Sequence, residues 1–138
     1  MKIQKAHLQD GQLLARMNHR LIRDEGHRNP MNQAQLARRM KKWLAKEYSA
    51  YLFKEREKII GYCLFRKEKG FIYIRHFYIE RIHRKKGLGR KAFNALSKEV
   101  WKKTPILRMD VLVDNKVGLN FWKDLGFQDY SLTMERYN

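Results

Sequence analysis

The sequence predicts a single-domain α/β fold whose mixed, mostly antiparallel sheet follows the order β-α-α-β-β-β-α-β-α-β. Three observations predict it. Apolar residues recur at helical spacing through the first 46 residues, the period turns β-like from Tyr48 to Glu80, and helix and strand patterns alternate from Leu88 onward. Only two prolines and eight glycines punctuate 138 residues, with no low-complexity linker and no internal repeat, so one domain over residues 1–138 is expected.

Residues 2–7 read as a short strand. Leu13, Leu14, Met17, Leu21 and Ile22 then line one helix face, and Gly26 is its stop. A second helix follows Asn29-Pro30, with Leu36, Met40, Trp43 and Leu44 on one side and Arg38, Arg39, Lys41, Lys42 and Lys46 on the other. Tyr48 to Lys54 and Lys58 to Arg66 are β-rich runs separated by Glu55-Arg56-Glu57, the pattern of a hairpin. Residues 71–80, FIYIRHFYIE, are apolar or aromatic on both faces, which places them centrally in the sheet. Leu88, Ala92, Ala95, Leu96 and Val100 line a third helix, and Pro105 opens a strand from Ile106 to Val113. Val117, Phe121 and Leu125 mark a short fourth helix ending at Gly126, and Phe127 to Tyr137 reads as a last strand.

Composition narrows the function classes. Hydrophobic residues make up 43% of the chain, enough for a packed core. No apolar run approaches the roughly 20 residues that span a bilayer, and the first ten residues lack a signal peptide's apolar stretch. A cytoplasmic protein without a membrane partner is therefore expected. The single cysteine, Cys63, excludes an internal disulfide framework, and no His, Asp or Glu spacing suggests a metal. The net charge of +17 attracts polyanions such as nucleic acid or a phosphorylated ligand, without choosing among them.

The segment that carries chemistry is Arg84-Lys85-Lys86-Gly87-Leu88-Gly89-Arg90, between the buried strand and an amphipathic helix. Gly87 and Gly89 permit a close backbone approach, and the helix that follows aims its first N–H groups and its dipole at one place. Four cationic side chains surround this anion site. The dinucleotide pattern G-x-G-x-x-G/A also fits Gly87 to Ala92, but about seven polar residues separate Ile79 from Gly87, whereas that motif needs its first glycine at the strand's end.

A second pattern lies downstream, Asn115-Lys116-Val117-Gly118-Leu119-Asn120-Phe121-Trp122-Lys123-Asp124-Leu125-Gly126-Phe127. Together the two resemble the GNAT superfamily of N-acetyltransferases, in which Q/R-x-x-G-x-G/A is followed by N-x-x-A-x-x-F-Y-x-x-x-G-F. The resemblance covers nearly the whole chain. It implies the GNAT fold, acetyl-CoA as co-substrate and direct acetyl transfer to an amine on a small molecule or protein. It also implies that Phe77, Tyr78 and Ile79 pair with the pantetheine arm, and that Arg84, Lys85, Lys86, Gly87, Leu88, Gly89 and Arg90 cradle the pyrophosphate. Asn115, Lys116 and Trp122 complete the cofactor side, and a backbone N–H near Ile79 steadies the oxyanion. Many members pair through late strands, so a homodimer is one implied assembly.

The chain departs from the family at the acid and the base. Trp122 stands where a tyrosine often protonates the thiolate, and an indole N–H is too weak an acid for that role. Trp122 is expected in the core or packed on the cofactor, leaving Tyr78, Tyr130 or water as acid. Tyr73 occupies the place of a glutamate base in one branch, on the acceptor side. Base candidates are Glu80, His76, His83 and the cluster Asp24-Glu25-Gly26-His27. Glu80 also reads as a solvated partner of neighbouring arginines, and His76 and His83 read as a core and a surface histidine. Asp24, Glu25 and His27 cluster where acids are scarce, at a helix C-terminus whose dipole disfavours them. They are taken as acceptor-binding residues with Glu25 foremost; pairing with Arg23 or Arg28 is the bland alternative. Two other functions stay open: a basic nucleic-acid-binding module, supported by charge and interleaved aromatics, and a CoA-binding protein without turnover.

Overall fold

A computed structural model describes all residues, 1–138. Strand β1 (Lys2–Lys5) leads through a 3-10 turn into helix α1 (Gly11–Glu25), then α2 (Gln33–Ala45). Three long strands follow, β2 (Tyr48–Glu55), β3 (Lys58–Glu68) and β4 (Phe71–Ile79). Helix α3 (Leu88–Glu99), a two-residue strand β5 (Leu107–Arg108) and helix α4 (Lys116–Asp124) complete the order. The sheet runs β1-β2-β3-β4-β5, antiparallel except for the parallel β4–β5 pair. No helix is long and apolar enough to cross a membrane.

The sheet separates two cores. On one side Leu14, Met17, Leu21 and Met40 of α1 and α2 pack on Leu52, Tyr62, Leu64 and Tyr78. On the other, Ala92, Phe93, Leu96, Trp101 and Trp122 pack on Cys63, Phe65, Ile72, Ile74 and Ile79. A strand's side chains alternate between faces, so Ile72 and Ile79 should lie on opposite sides. They share one because β4 carries a bulge: Leu64 faces His76 and Phe65 faces Ile74, leaving Arg75 as the extra residue. The bulge inverts the parity of β4, which is why residues 71–80 look apolar on both faces.

Two expected strands differ. The strand expected from Ile106 to Val113 pairs with β4 only at Leu107 and Arg108. Beyond Arg108 the chain diverges, held by Met109 and Val111 against the α3 side of the core. Phe127 to Tyr137 forms no strand. Phe127 packs on Phe93 and Trp122, but Tyr130, Leu132, Met134 and Tyr137 are exposed. Alternating apolarity makes a strand only where a free edge and a face to cover coincide, and this segment meets neither.

Candidate active site

The divergence of β4 and β5 opens a cavity of ≈ 1290 Å³. Its walls are Tyr73 to Phe77 of β4, Met109 to Asn115 after β5, the start of α4, and residues of α1 with the segment after it. Glu80 N–H bonds to Ile60 across the sheet, so by alternation the main chains of Phe77 and Ile79 face the open edge and that of Tyr78 faces β3. Of the three expected pantetheine-pairing residues, Phe77 thus turns both main-chain groups to the open edge and Ile79 only its N–H, its carbonyl being taken by Arg84; Tyr78 offers neither.

The N-terminus of α3 stands beside this wall. Gly87 caps the helix at φ 75°, no side chain caps it, and the first helical bond runs from Lys91 N–H to the Gly87 carbonyl. The N–H groups of Leu88, Gly89 and Arg90 therefore have no partner within the helix. Lys85 also sits at positive φ, 61°, a conformation that costs a non-glycine residue about 1 kcal/mol. Lys85 and Lys86 are exposed. Gly89 has an ordinary helical backbone, and its need is steric: a Cβ there would lie 2.9 Å from the Phe121 ring.

Three arginines in and just before the loop bond to protein groups. Arg84 donates through Nε to the Ile79 carbonyl at 2.7 Å and through Nη2 to Asp24 at 2.6 Å. Arg81 reaches the other Asp24 oxygen at 2.7 Å. Arg90 donates to the Asp124 carbonyl at the end of α4, at 3.3 Å. Arg84 is thereby committed to Ile79 and Asp24, whereas exposed Arg90 keeps its other guanidinium donors for an anion. Asp24, taken from the sequence as an acceptor ligand, is the clamp that ties α1 to this turn. Burial acts on its carboxyl most strongly and raises its pKa, but the hydrogen bonds and charges of Arg84 and Arg81 together hold it below the usual range.

Glu25 is in the cavity wall, half-buried, with Oε1 3.1 Å from His27 Nε2. Burial pushes its pKa above the ordinary carboxylate range, opposed by the hydrogen bond and charge of His27 and the charge of Arg84. Asn115 caps α4 by accepting from Gly118 N–H at 3.0 Å, and its Nδ2 donates to Glu25 Oε2 at 3.4 Å. Gly118 makes that fold-over possible, since a Cβ there would meet Asn115 Nδ2 at 2.4 Å. Lys116, next along α4, also lines the cavity.

Of the other catalytic candidates, Tyr78 and Glu80 lie outside. The Tyr78 ring is 2% exposed on the α1–α2 side, its hydroxyl donating to Glu80 at 3.4 Å, and Glu80 is held by Arg20 at 2.8 Å. Neither lines the cavity. Alternation explains this, because Tyr78 faces opposite to its neighbours Phe77 and Ile79; without the bulge at Arg75 it would share the face of Ile72 and Ile74. Tyr73 does line the cavity, but its hydroxyl donates to Asp110 at 2.7 Å; burial first, then that carboxylate, push its pKa up to about 12. Trp122 is 9% exposed, edge-on to Phe77 at 5.1 Å between ring centroids, both a core residue and part of the wall.

Sequence reasoning passed over three residues that the fold brings to this cavity, Asn18, Arg39 and Arg75. Asn18 gave a signal, a polar residue amid the apolar α1 positions Leu14, Met17, Leu21 and Ile22. The arginines gave none, each reading as a solvated charge.

Residues 15–127 match the acetyltransferase (GNAT) family. No curated protein sequence matches significantly. Among solved structures, a possible acetyltransferase from Clostridium difficile 630 superimposes with TM-score 0.80 at 17% identity, over 99% of this chain and 96% of that one. A predicted acetyltransferase from Clostridium acetobutylicum, solved with acetyl-CoA, gives 0.76 at 22% identity over 99% and 95%. A ribosomal-protein-alanine N-acetyltransferase from Brucella melitensis biovar Abortus 2308 gives 0.73 at 16% over 99% and 100%. At such identities these likenesses speak for the fold alone. The family match spans both glycine-bearing motifs and the strands that part between them, and on that ground the chain belongs to the GNAT family of N-acetyltransferases.

Proposed function

We propose that this chain transfers the acetyl group of acetyl-CoA to a primary amine, with Glu25 as the proton acceptor. The observation that carries the reading is the parting of β4 from β5 beside an uncapped helix N-terminus, with Glu25 in the same cavity wall. The donor residues fit an extended amide-bearing arm ending in a pyrophosphate. The main chain of Phe77 and the N–H of Ile79 offer it strand-like hydrogen bonds, and the α3 N–H groups with Lys85 and Lys86 receive the phosphates. Acetyl-CoA supplies the acetyl group as a thioester.

Glu25 accepts the proton that the attacking amine must lose as its C–N bond forms. The C–S bond then breaks and the thiolate takes a proton from solvent, since Tyr78 and Tyr73 are both held by carboxylates. Glu25's raised pKa brings it closer to the range where a general base is effective. His27 and Asn115 orient its two oxygens.

Calorimetric titration with acetyl-CoA tests the reading. One-to-one binding is expected, weakened about tenfold or more in Lys86→Glu, an exposed position whose charge reversal leaves the fold intact. Absence of binding, or equal affinity in the variant, overturns the site. Gly89→Trp is a poorer probe, because the new side chain would strike Phe121 and Ile79 and unsettle the packing of α3 on α4.

A further inference from the structure

Elsewhere in the cavity lining, two arginines meet over one indole. Arg39 of α2 places its guanidinium carbon 4.3 Å from the Trp43 ring centroid, and Arg75, the bulge residue of β4, places its own at 4.6 Å. Both line the cavity, and neither makes an ion pair. Arg39 Nε is buried with no hydrogen-bond partner. Arg75 has one long hydrogen bond, 3.4 Å to the Tyr48 hydroxyl, which Arg66 already reaches at 2.6 Å. Asn18 of α1 is fully buried, lines the same cavity, and has no partner for either amide atom.

The arrangement is costly for half-buried Arg39, while Arg75 is exposed. Burial and the neighbouring Arg75 charge both disfavour the charged form of Arg39. Nothing nearby neutralises the pair. His76, whose Nδ1 lies 2.9 Å from the Tyr62 hydroxyl, is kept neutral by burial and by the charges of Arg39, Arg75 and His27. Asp110, across the cavity, is bonded to Tyr73. Two forked donors without an ionic partner, and an unpartnered amide in the same cavity lining, are what an oxyanion would satisfy.

Resting on the acetyl-transfer reading, we propose that Arg39 and Arg75 bind an oxyanion, carboxylate or phosphate, carried by the acceptor amine. The acceptor is then bifunctional, its amine toward Glu25 and its anionic group on the two arginines, with the Tyr62–His76 pair between. The indole of Trp43 holds both guanidinium planes in place by cation–π contact.

The test is calorimetric titration of three matched amines: 4-aminobutyrate, 3-aminopropyl phosphate and butylamine. At least one of the anionic amines binds about tenfold or more tighter than butylamine, and whichever binds tighter identifies the anion. Arg39→Gln and Arg75→Gln each remove most of that preference, while acetyl-CoA affinity, measured on the same samples, stays unchanged. Arg75→Lys, which keeps the charge without the fork, retains part of it and covers the case in which Arg39→Gln fails to fold. Equal affinity for charged and neutral amines, binding of none, or a preference that survives both substitutions overturns the proposal. Failure of acetyl-CoA to bind would instead fell the acetyl-transfer reading and leave the anion result readable by itself.

Discussion

Glu25 shows how much chemistry one residue takes from its surroundings. A carboxyl at a helix C-terminus is disfavoured by the dipole, and burial disfavours its charged form further, yet His27 and Asn115 hold both its oxygens. As the base it must be deprotonated, so kcat/KM should fall as pH drops through its raised pKa. Glu25→Gln should remove that limb of the pH–rate profile and lower kcat by about 10²- to 10³-fold. A profile unchanged in shape would take Glu25 out of the reaction. Glu25 was legible in the sequence because acids are scarce near it. Its contact with Asn115 was not, since 90 residues separate the two and only the unusual glycine at 118 hints at the space required.

Between elements, the most consequential joint is Asp24, which fixes the end of α1 to the turn that precedes α3. Its folded pKa is depressed, so its contribution to stability is full above the ordinary aspartate range and is lost as pH falls through the folded value. Asp24→Asn should cost about 1–2 kcal/mol at neutral pH, most of it from the half-buried Arg84 bond, since Arg81 is 77% exposed and screened. Wild type and variant should converge in acid denaturation below the ordinary aspartate range; a constant gap would mean that the ion pair is not the cause. The elements themselves were mostly legible. Four helices and the β2–β3–β4 meander stand where periodicity places them. What failed did so where pattern and pairing part company. The β4 bulge hides in an all-apolar run, β5 stops after two residues because the cavity takes its place, and the alternation from Phe127 onward finds no edge to join.

For the molecule as a whole, the charge of +17 sets a field around the site proposed to receive phosphates. Acetyl-CoA affinity should therefore fall severalfold between about 50 mM and 500 mM salt, where screening shortens to a few ångströms, and less steeply in Lys86→Glu. A flat dependence would assign the basic surface to some other partner. Composition alone announced a polyanion without saying which, because a count of charges carries no position. The fold supplies the position, with Lys85 and Lys86 exposed beside α3, and half-buried Arg39 and exposed Arg75 together in the cavity lining.

The three tryptophans divide this protein optically. Trp122 forms part of the wall beside Phe77, Trp43 lies beneath the two guanidiniums, and Trp101 is buried edge-on to Phe65 and Phe93, away from the cavity. Replacing two of the indoles with phenylalanine leaves a single emitter at the donor end, at the acceptor end, or at a place neither ligand touches. Fluorescence from these three proteins would report the filling of each end separately, with the third as a silent reference, and so reveal the order in which the two substrates arrive.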